Sequence, residues 1–344
     1  MADALLSPAV GGTAWAATAG LIGYSSRKLR DGMDDRRIPL MGVLGAFIFA
    51  AQMINFTIPA TGSSGHLGGG LILAILLGPQ AAFLTLASVL TVQAMFFADG
   101  GLLALGCNIF NLGFFPCFVA YPFIYRTVAG GHKSRWRIVA ASGIAALIGL
   151  QLGSAAVVVE TTMSGVTELP FWTFLLVMQP VHLAIGLVEG AVTAAVVLFV
   201  LRARPEILEA AQGAEGSGPV PLRGLAAALL AAAIAMGAGL SWFASSNPDG
   251  LEWSIAHTSG SDTLEGADEG MHRSLGNLQD RTAILPDYGF REGTGEREPG
   301  SAGRTDRVPG AAVGTSVSGL LGGMLTLLLA GAAGVLLRWR RVRT

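Results

Sequence analysis

Charged residues are scarce in this sequence of 344 residues, and cysteine is nearly absent. Charged side chains make up 13% of the chain, about half of the roughly 25% usual in soluble globular proteins, so an ordinary soluble fold is excluded. The two cysteines, Cys107 and Cys117, lie in apolar runs, which indicates small core residues and not a disulfide or a metal pair. The opening stretch MADALLSPAVGG has no basic residue, and it therefore predicts no cleavable signal peptide.

The absence of a phosphate-binding motif and the net charge bear on the range of possible functions. No G-x-x-x-x-G-K-[ST] phosphate loop occurs, so any ATP hydrolysis linked to this protein must come from partners. The formal net charge of −1 does not identify a partner by itself, and we expect no nucleic-acid ligand.

Long apolar runs dominate what is present. Hydrophobic residues make up 52% of the chain and fall in runs of about 17 to 25, enough to cross a membrane as helix. We predict an all-α polytopic membrane protein with spans near residues 9–25, 38–55, 66–78, 79–97, 101–125, 137–160, 171–201, 222–243 and 313–337. The segment 66–78 is short and glycine-rich, so it is a candidate for a re-entrant or broken span.

Lysine and arginine are distributed unevenly between the two predicted faces. Sixteen of the 22 fall on one side if the chain crosses nine times, and the other six lie in 245–311. The positive-inside rule then predicts a multi-pass protein of the cell membrane with its N-terminus outside and its C-terminus cytoplasmic. In the extracytoplasmic segment 244–312, residues 258–282 and 291–311 are candidates for a disordered linker, whereas SNPDGLEWSI and ILPDYGF indicate order.

Polar groups inside a membrane are costly, so each needs a reason. The stretch NFTIPATGSSGHLGGG, Asn55 to Gly70, places His66 at the predicted outer face. One interpretation of the polar residues in the predicted spans is helix packing, in which Gln93, Asn108 and Asn111 form hydrogen bonds between helices. Small residues at a spacing of four on the first span also offer a close-packing face to another helix, in this chain or in a partner. They are Gly12, Ala16 and Gly20.

Two other interpretations remain open at this point. Gly62-Ser63-Ser64-Gly65 fits a short G-x-S-G pattern, so Ser64 and His182 could serve a membrane serine hydrolase. Alternatively, the imidazole of His66 could bind a transition-metal ion that arrives from outside. One histidine is not a complete metal site, and other nitrogens would have to complete it.

The blocks RIPLMGVLGAFIFAAQMINFTIPATGSSGHLGGG, VQAMFFADGGLLALGCNIFNLG and VHLAIGLVEG resemble the CbiM/NikM family. Its members are the substrate-binding S components of energy-coupling-factor (ECF) cobalt and nickel transporters. The resemblance covers residues 1–205 and implies seven spans there. After a cytoplasmic linker at 206–221, residues 222–344 contain NPDGLE and PDYGF and resemble the PDGLE domain, with two spans at 222–243 and 313–337 around the extracytoplasmic part 244–312.

The resemblance implies that Co²⁺ or Ni²⁺ is a transported substrate, for cobalamin synthesis or nickel enzymes, with no organic cofactor and no catalytic residue. Its ligands would be His66, the α-amine, and the amide and imidazole of a histidine at position two. This chain has Ala2 there, so we expect Met-His to precede Met1; otherwise Met1 supplies only its amine. The polar positions implied around the ligands are Asn55, Gln93, Asn108, Asn111, His182 and Glu189. For His182 and Glu189, a buried pair that joins helices is an equal alternative.

The resemblance also implies partners. A separate membrane coupling (T) subunit and two ATPase subunits would power transport, and the face formed by Gly12, Ala16 and Gly20 is the candidate docking surface. The sequence leaves cobalt and nickel as alternatives, since both accept similar nitrogen donors.

Overall fold

The structure, a computed structural model, describes residues 1–31, 37–130, 134–211, 222–260, 270–290 and 309–342. These residues are mostly helical, with one antiparallel hairpin of β1 (Phe56–Ile58) and β2 (Ser63–Gly65). The helices before residue 212 are α1 (Pro8–Asp31), α2 (Arg37–Gln52), α3 (Gly70–Leu77), α4 (Pro79–Phe97), α5 (Leu105–Ala129), α6 (Arg135–Ser164), α7 (Phe171–Ala203) and α8 (Pro205–Ala211). Those after it are α9 (Arg223–Ala238), α10 (Gly250–Ser259), α11 (Met271–Thr282) and α12 (Pro309–Val342).

The prediction of an all-α polytopic membrane protein is confirmed. Five helices in the described part of the chain are long and apolar enough to cross a membrane: α4, α5, α6, α7 and the Val313–Trp339 part of α12. Two shorter apolar helices correspond to α2 and α9. The number of spans and their orientation stay predictions.

The short glycine-rich segment forms a helix that is too short to cross a membrane. Helix α3 has eight residues, which span about 12 Å at 1.5 Å per residue, and all of them are buried. Gly69 precedes it at φ +76°, a conformation that side chains disfavour, and Ile48 of α2 packs directly against this glycine. The chain thus starts a buried helix inside the bundle, directly after the hairpin.

Helix α5 departs from regular α geometry. Residues Phe110–Tyr125 form π-helix, and this stretch contains Pro116 and Pro122. Proline has no backbone N–H and disrupts the i→i−4 pattern, so the wider helix accommodates both residues within one element. Pro116 packs against Gly70 at the start of α3, which brings α5 against the loop before that helix.

The two apolar C-terminal helices, α9 and α12, pack against α2. A Cβ on Gly42 of α2 would lie 2.9 Å from the backbone oxygen of Leu327, and the ring of Phe49 fills the space beside Gly322. Helices α9 and α12 cross where Gly237 meets Gly319. Small residues let helix backbones approach closely, so the C-terminal part is joined to the N-terminal bundle through glycine contacts.

The described part of the segment 244–312 is more ordered than the sequence indicates. Helix α11 lies within 258–282, where a disordered linker was expected, and that expectation is wrong for residues 270–282. The amide of Gln279 donates to the carbonyls of Ala94 (2.9 Å) and Gly100 (2.7 Å), so contacts with the bundle hold this polar helix. The expected linkers at 212–221 and 291–308 lie outside the described residues, whereas 309–311 belong to α12 and Pro205–Ala211 is helical.

The second predicted ordered stretch, ILPDYGF, docks on the end of α4. Tyr288 stacks on Phe97, and its hydroxyl donates a hydrogen bond to Asp99. Burial, with the nearby Asp99 carboxylate, raises the pKa of Tyr288 well above its usual value, so the hydroxyl keeps its proton. This stretch therefore anchors the C-terminal part beside α4.

We predict that Gly42→Leu weakens the contact between α2 and α12. The new side chain would meet the Leu327 backbone, and overpacking of this kind costs about 1–3 kcal/mol. Thermal unfolding of the purified protein in detergent measures the loss. Gly331→Leu on α12 is the matched control, because no atom lies within 4 Å of its Cβ position. Equal stability of the two variants would contradict the packing argument.

Candidate metal-binding cavity

A cavity of about 130 Å³ lies between α5, α6, α7 and the loop that follows the hairpin. The segment Asp249–Leu251 completes its wall. Six of the predicted site residues line it: Met1, His66, Asn108, Asn111, His182 and Glu189. Residues distant in the sequence therefore meet at one site.

His66 is half-buried in the loop between β2 and α3. Its Nδ1 atom lies 3.1 Å from the carbonyl oxygen of Leu67. If Nδ1 donates its proton to that oxygen, Nε2 carries the lone pair and can bind an ion. The backbone carbonyl thus sets the tautomer that a metal ligand needs.

The loop that carries His66 is held by buried polar side chains. Glu189 accepts hydrogen bonds from the backbone N–H groups of Gly68 and Gly69, both at 3.0 Å. The amide of Gln52 donates to the Gly68 carbonyl at 2.9 Å, and Gln93 donates to the Gln52 side-chain oxygen at 2.9 Å. Glu189 therefore fixes the start of α3, and Gln93 supports the loop through Gln52.

His182 lines the cavity but does not pair with Glu189. Its Nδ1 lies 2.9 Å from the carbonyl of Met178 one turn earlier, whereas the Glu189 oxygens accept from the Gly68 and Gly69 amides. The alternative of a His–Glu pair that joins helices is therefore wrong. The two residues contribute to the cavity separately.

The N-terminal segment is held against the start of α5. The Met1 carbonyl accepts hydrogen bonds from the Asn108 amide (3.3 Å) and the Gly101 N–H (3.1 Å). One Asp3 carboxylate oxygen accepts from the Ala104 N–H at 2.8 Å. These contacts place Met1 in the cavity wall. The Asp3 carboxylate instead binds the backbone at the start of α5.

Sequence reasoning missed Glu160, which accepts a 2.7 Å hydrogen bond from the Asn111 amide. Glu160 is a carboxylate inside an apolar run, and the cost of such a group in a membrane was the available signal. It was passed over because it lies at the end of the predicted span 137–160. Gln52 was missed for the same reason, at the end of α2.

The PDGLE motif, residues 248–252, covers one side of the cavity. The Ser64 N–H donates to the Pro248 carbonyl at 2.8 Å, and Asp249 and Gly250 line the cavity. A Cβ on Gly250 would lie 3.3 Å from the ring of His182, so glycine permits this close approach. Asn55 is not part of the wall; its carbonyl accepts from the Ser245 N–H at 2.7 Å, and so it helps to hold the motif.

The arrangement does not support a serine hydrolase. The Ser64 hydroxyl donates to the Asn247 carbonyl at 2.8 Å, and the His182 Nδ1 lies against Met178. A nucleophilic serine requires a hydrogen bond to its base, and the described contacts of Ser64 are with carbonyl oxygens.

The small-residue face of α1 is not part of the cavity. Gly12, Ala16 and Gly20 are exposed, and no atom lies within 4 Å of a Cβ built on either glycine. Within the described residues this face therefore has no close-packed helix against it at the two glycines.

The comparison with protein families identifies the chain. The sequence model described as the cobalt uptake substrate-specific transmembrane region matches residues 1–207, more than half of the chain. The chain belongs to the CbiM family. A second model, the PDGLE domain, matches residues 223–339. The predicted fusion of the two regions is confirmed.

Relatives and a solved structure agree with this assignment. A relative in Archaeoglobus fulgidus, whose name describes a fused nickel transport protein NikMN, is 38% identical over 60% of this chain and 67% of its own length. The fused nickel transport protein NikMN of Rhodobacter capsulatus is 33% identical over 60% of this chain and 62% of its own. A crystal structure of a transition metal transporter is 29% identical, with a TM-score of 0.53, over 60% of this chain and 94% of that one. This multi-pass membrane protein is therefore a member of a cobalt and nickel transport family, and not an enzyme.

Side chains alone do not complete a metal site here. Among the residues that the structure describes, no group of three or more His, Cys, Asp or Glu side chains could hold an ion together. Backbone or terminal nitrogen atoms would have to join His66 in an ion-binding set.

We predict that Glu189→Gln loosens the His66 loop. A neutral amide has one acceptor oxygen in place of two, so one of the two glycine N–H groups loses its partner, at a cost of about 1–3 kcal/mol. Hydrogen exchange of peptides covering residues 62–70 should be faster in this variant. Glu209→Gln on α8 is the control, because Glu209 is exposed. Unchanged exchange in that peptide would refute the role of Glu189.

Proposed function

We propose that this protein is the substrate-specific component of an ECF transporter that imports Co²⁺ or Ni²⁺, with the ion bound at His66. The observation that carries the proposal is the position of His66 and Met1 in the wall of one cavity. Membership of the CbiM family supports it, since the family is described as a cobalt uptake region. The PDGLE domain is the accessory part of the same protein.

The donor atoms suit these ions. The Nε2 of His66 and a terminal amine at the Met1 side are nitrogen ligands, which Ni(II) and Co(II) prefer over the oxygen ligands of Mg²⁺ and Ca²⁺. The family's remaining two nitrogens belong to a histidine at position two, where this chain has Ala2. A Met-His extension would supply that imidazole and amide. The side chains of Asn108 and Asn111 would then lie around the ion without replacing its ligands, and Glu160 would hold Asn111 in place.

Energy for import would come from other subunits. The sequence has no phosphate loop, so two ATPase subunits and a membrane coupling subunit would drive release of the ion on the cytoplasmic side. The face of Gly12, Ala16 and Gly20 is exposed and has room for another helix, which supports it as the docking surface of the coupling subunit.

We predict that the chain with a Met-His extension binds Ni(II) and Co(II) more tightly than the chain that begins at Met1. His66→Ala should abolish binding by the extended chain, because it removes one of four in-plane nitrogens. Titration of the purified proteins by calorimetry, followed by metal analysis, measures both effects. His257→Ala is the control, since His257 is on α10 and lies outside the cavity wall. Binding that survives His66→Ala would refute the proposed ligand.

We also predict that leucine on the α1 face blocks assembly. Gly12→Leu or Gly20→Leu should reduce co-purification of the coupling subunit and leave Ni(II) binding unchanged, because the side chains fill the docking space outside the cavity. Gly331→Leu provides a comparison on another open face. Full assembly of both α1 variants would exclude this surface.

A further inference from the structure

His182 offers a nitrogen donor that the ligand set above does not use. Its Nδ1 is held 2.9 Å from the Met178 carbonyl, and its ring lies in the cavity wall. With Nδ1–H donated to that carbonyl, the lone pair is on Nε2, the arrangement in which metal-binding histidines are usually fixed. His66 is held in the same way by the Leu67 carbonyl. With Nδ1–H donated in this way, both histidines of the cavity wall carry a lone pair on Nε2 that can bind a metal ion.

Asp249 supplies a carboxylate beside His182. It is the N-cap of α10, where its Oδ1 accepts from the Glu252 N–H at 2.7 Å. Asp249 is half-exposed and lines the cavity, so both the solvent and the cavity are accessible to it. It lies close enough to His182 to interact with it electrostatically, and the neighbouring Gly250 packs on the His182 ring.

His66 also lies close enough to His182 to interact with it electrostatically, but among the described residues His66, His182 and Asp249 do not form one three-ligand site. An imidazole and a carboxylate provide two ligands, and water would fill the remaining positions of the ion. Such a site binds weakly and exchanges quickly, and its imidazole favours transition-metal ions over Mg²⁺ and Ca²⁺.

We propose that His182 Nε2 and Asp249 form a transit site, which receives a hydrated Ni(II) or Co(II) ion from the outer side before it reaches His66. The proposal rests on the function proposed above. Asp249 attracts the cation from solvent, and His182 replaces part of its water shell inside the cavity. The ion then exchanges these ligands for those at His66.

A transit site has a distinct kinetic consequence. A site on the path to His66 accelerates the ion in both directions by the same factor, because it does not alter the final complex. Its loss should therefore slow association and dissociation equally and leave the Kd unchanged. A ligand of the final complex behaves differently, since its loss weakens the Kd and speeds dissociation.

Stopped-flow measurement of Ni(II) uptake and of its release to a coloured chelator tests this proposal on the full chain with the Met-His extension. His182→Leu removes the nitrogen donor, and Asp249→Asn removes the charge but retains a good N-cap. We expect each variant to lower both rate constants by about tenfold, in the range for electrostatic steering, with the Kd within about twofold. His257→Ala, on the same α10 helix, should leave both rate constants equal to those of the extended chain without substitutions.

The outcomes separate the two proposals. Unchanged rates in both variants with Ni(II) binding intact would overturn the transit site alone. A weaker Kd with faster release in His182→Leu would also overturn it, because His182 would then be a ligand of the final complex. No binding of Ni(II) or Co(II) by the extended chain without substitutions would overturn the proposed function, and the transit site with it. Equal slowing in Asp249→Asn supports the proposal even if His182→Leu fails to fold.

Discussion

The carboxylate of Glu189 satisfies a constraint on which the cavity depends. Backbone N–H groups of a loop that is buried inside an apolar bundle need partners within the protein, because water is not available to them there. Glu189 accepts from the two glycine N–H groups directly before α3, and Gln52 binds the carbonyl of Gly68. Because these bonds fix the backbone two residues after His66, they also fix the loop that carries the imidazole. Without the Glu189 carboxylate, two buried N–H groups directly before α3 would lose their partners.

The fold could be predicted where one local property determines it. Long apolar runs are visible in the sequence, so α4, α6 and α7 were located within a few residues. The β hairpin and α11 were missed because tertiary contacts stabilise them. The segment of α11 is polar, and Gln279 holds it through carbonyls of the bundle about 180 residues away in sequence. No local pattern records such a contact.

The site residues, too, could be predicted where a single residue stands out from its neighbours in the sequence. His66 is conspicuous as an imidazole among glycines at the end of an apolar run, and Asn108 and Asn111 are costly amides in a membrane. Their partners were not predictable, because Asn108 binds the carbonyl of Met1 and Asn111 binds Glu160, and both contacts depend on the packing of α5. For the stretch SNPDGLEWSI, which contains Asp249, the sequence indicates order but no place in the site. The place of Asp249 in the cavity follows from the docking of the whole PDGLE motif.

Two of the contacts between the C-terminal part and the bundle differ in kind. Beside α4, Tyr288 stacks on Phe97 and bonds to Asp99, so this contact combines aromatic area with a hydrogen bond. At the cavity, Ser64 bonds to the carbonyls of Asn247 and Pro248, and each such bond contributes only about 1 kcal/mol. Covalent fusion through α9 and α12 keeps the motif at a high effective concentration, so a weak contact at the cavity is sufficient. In the proposed function this weakness is useful, because a tightly bound cover would slow the exchange of ions between the solvent and the cavity.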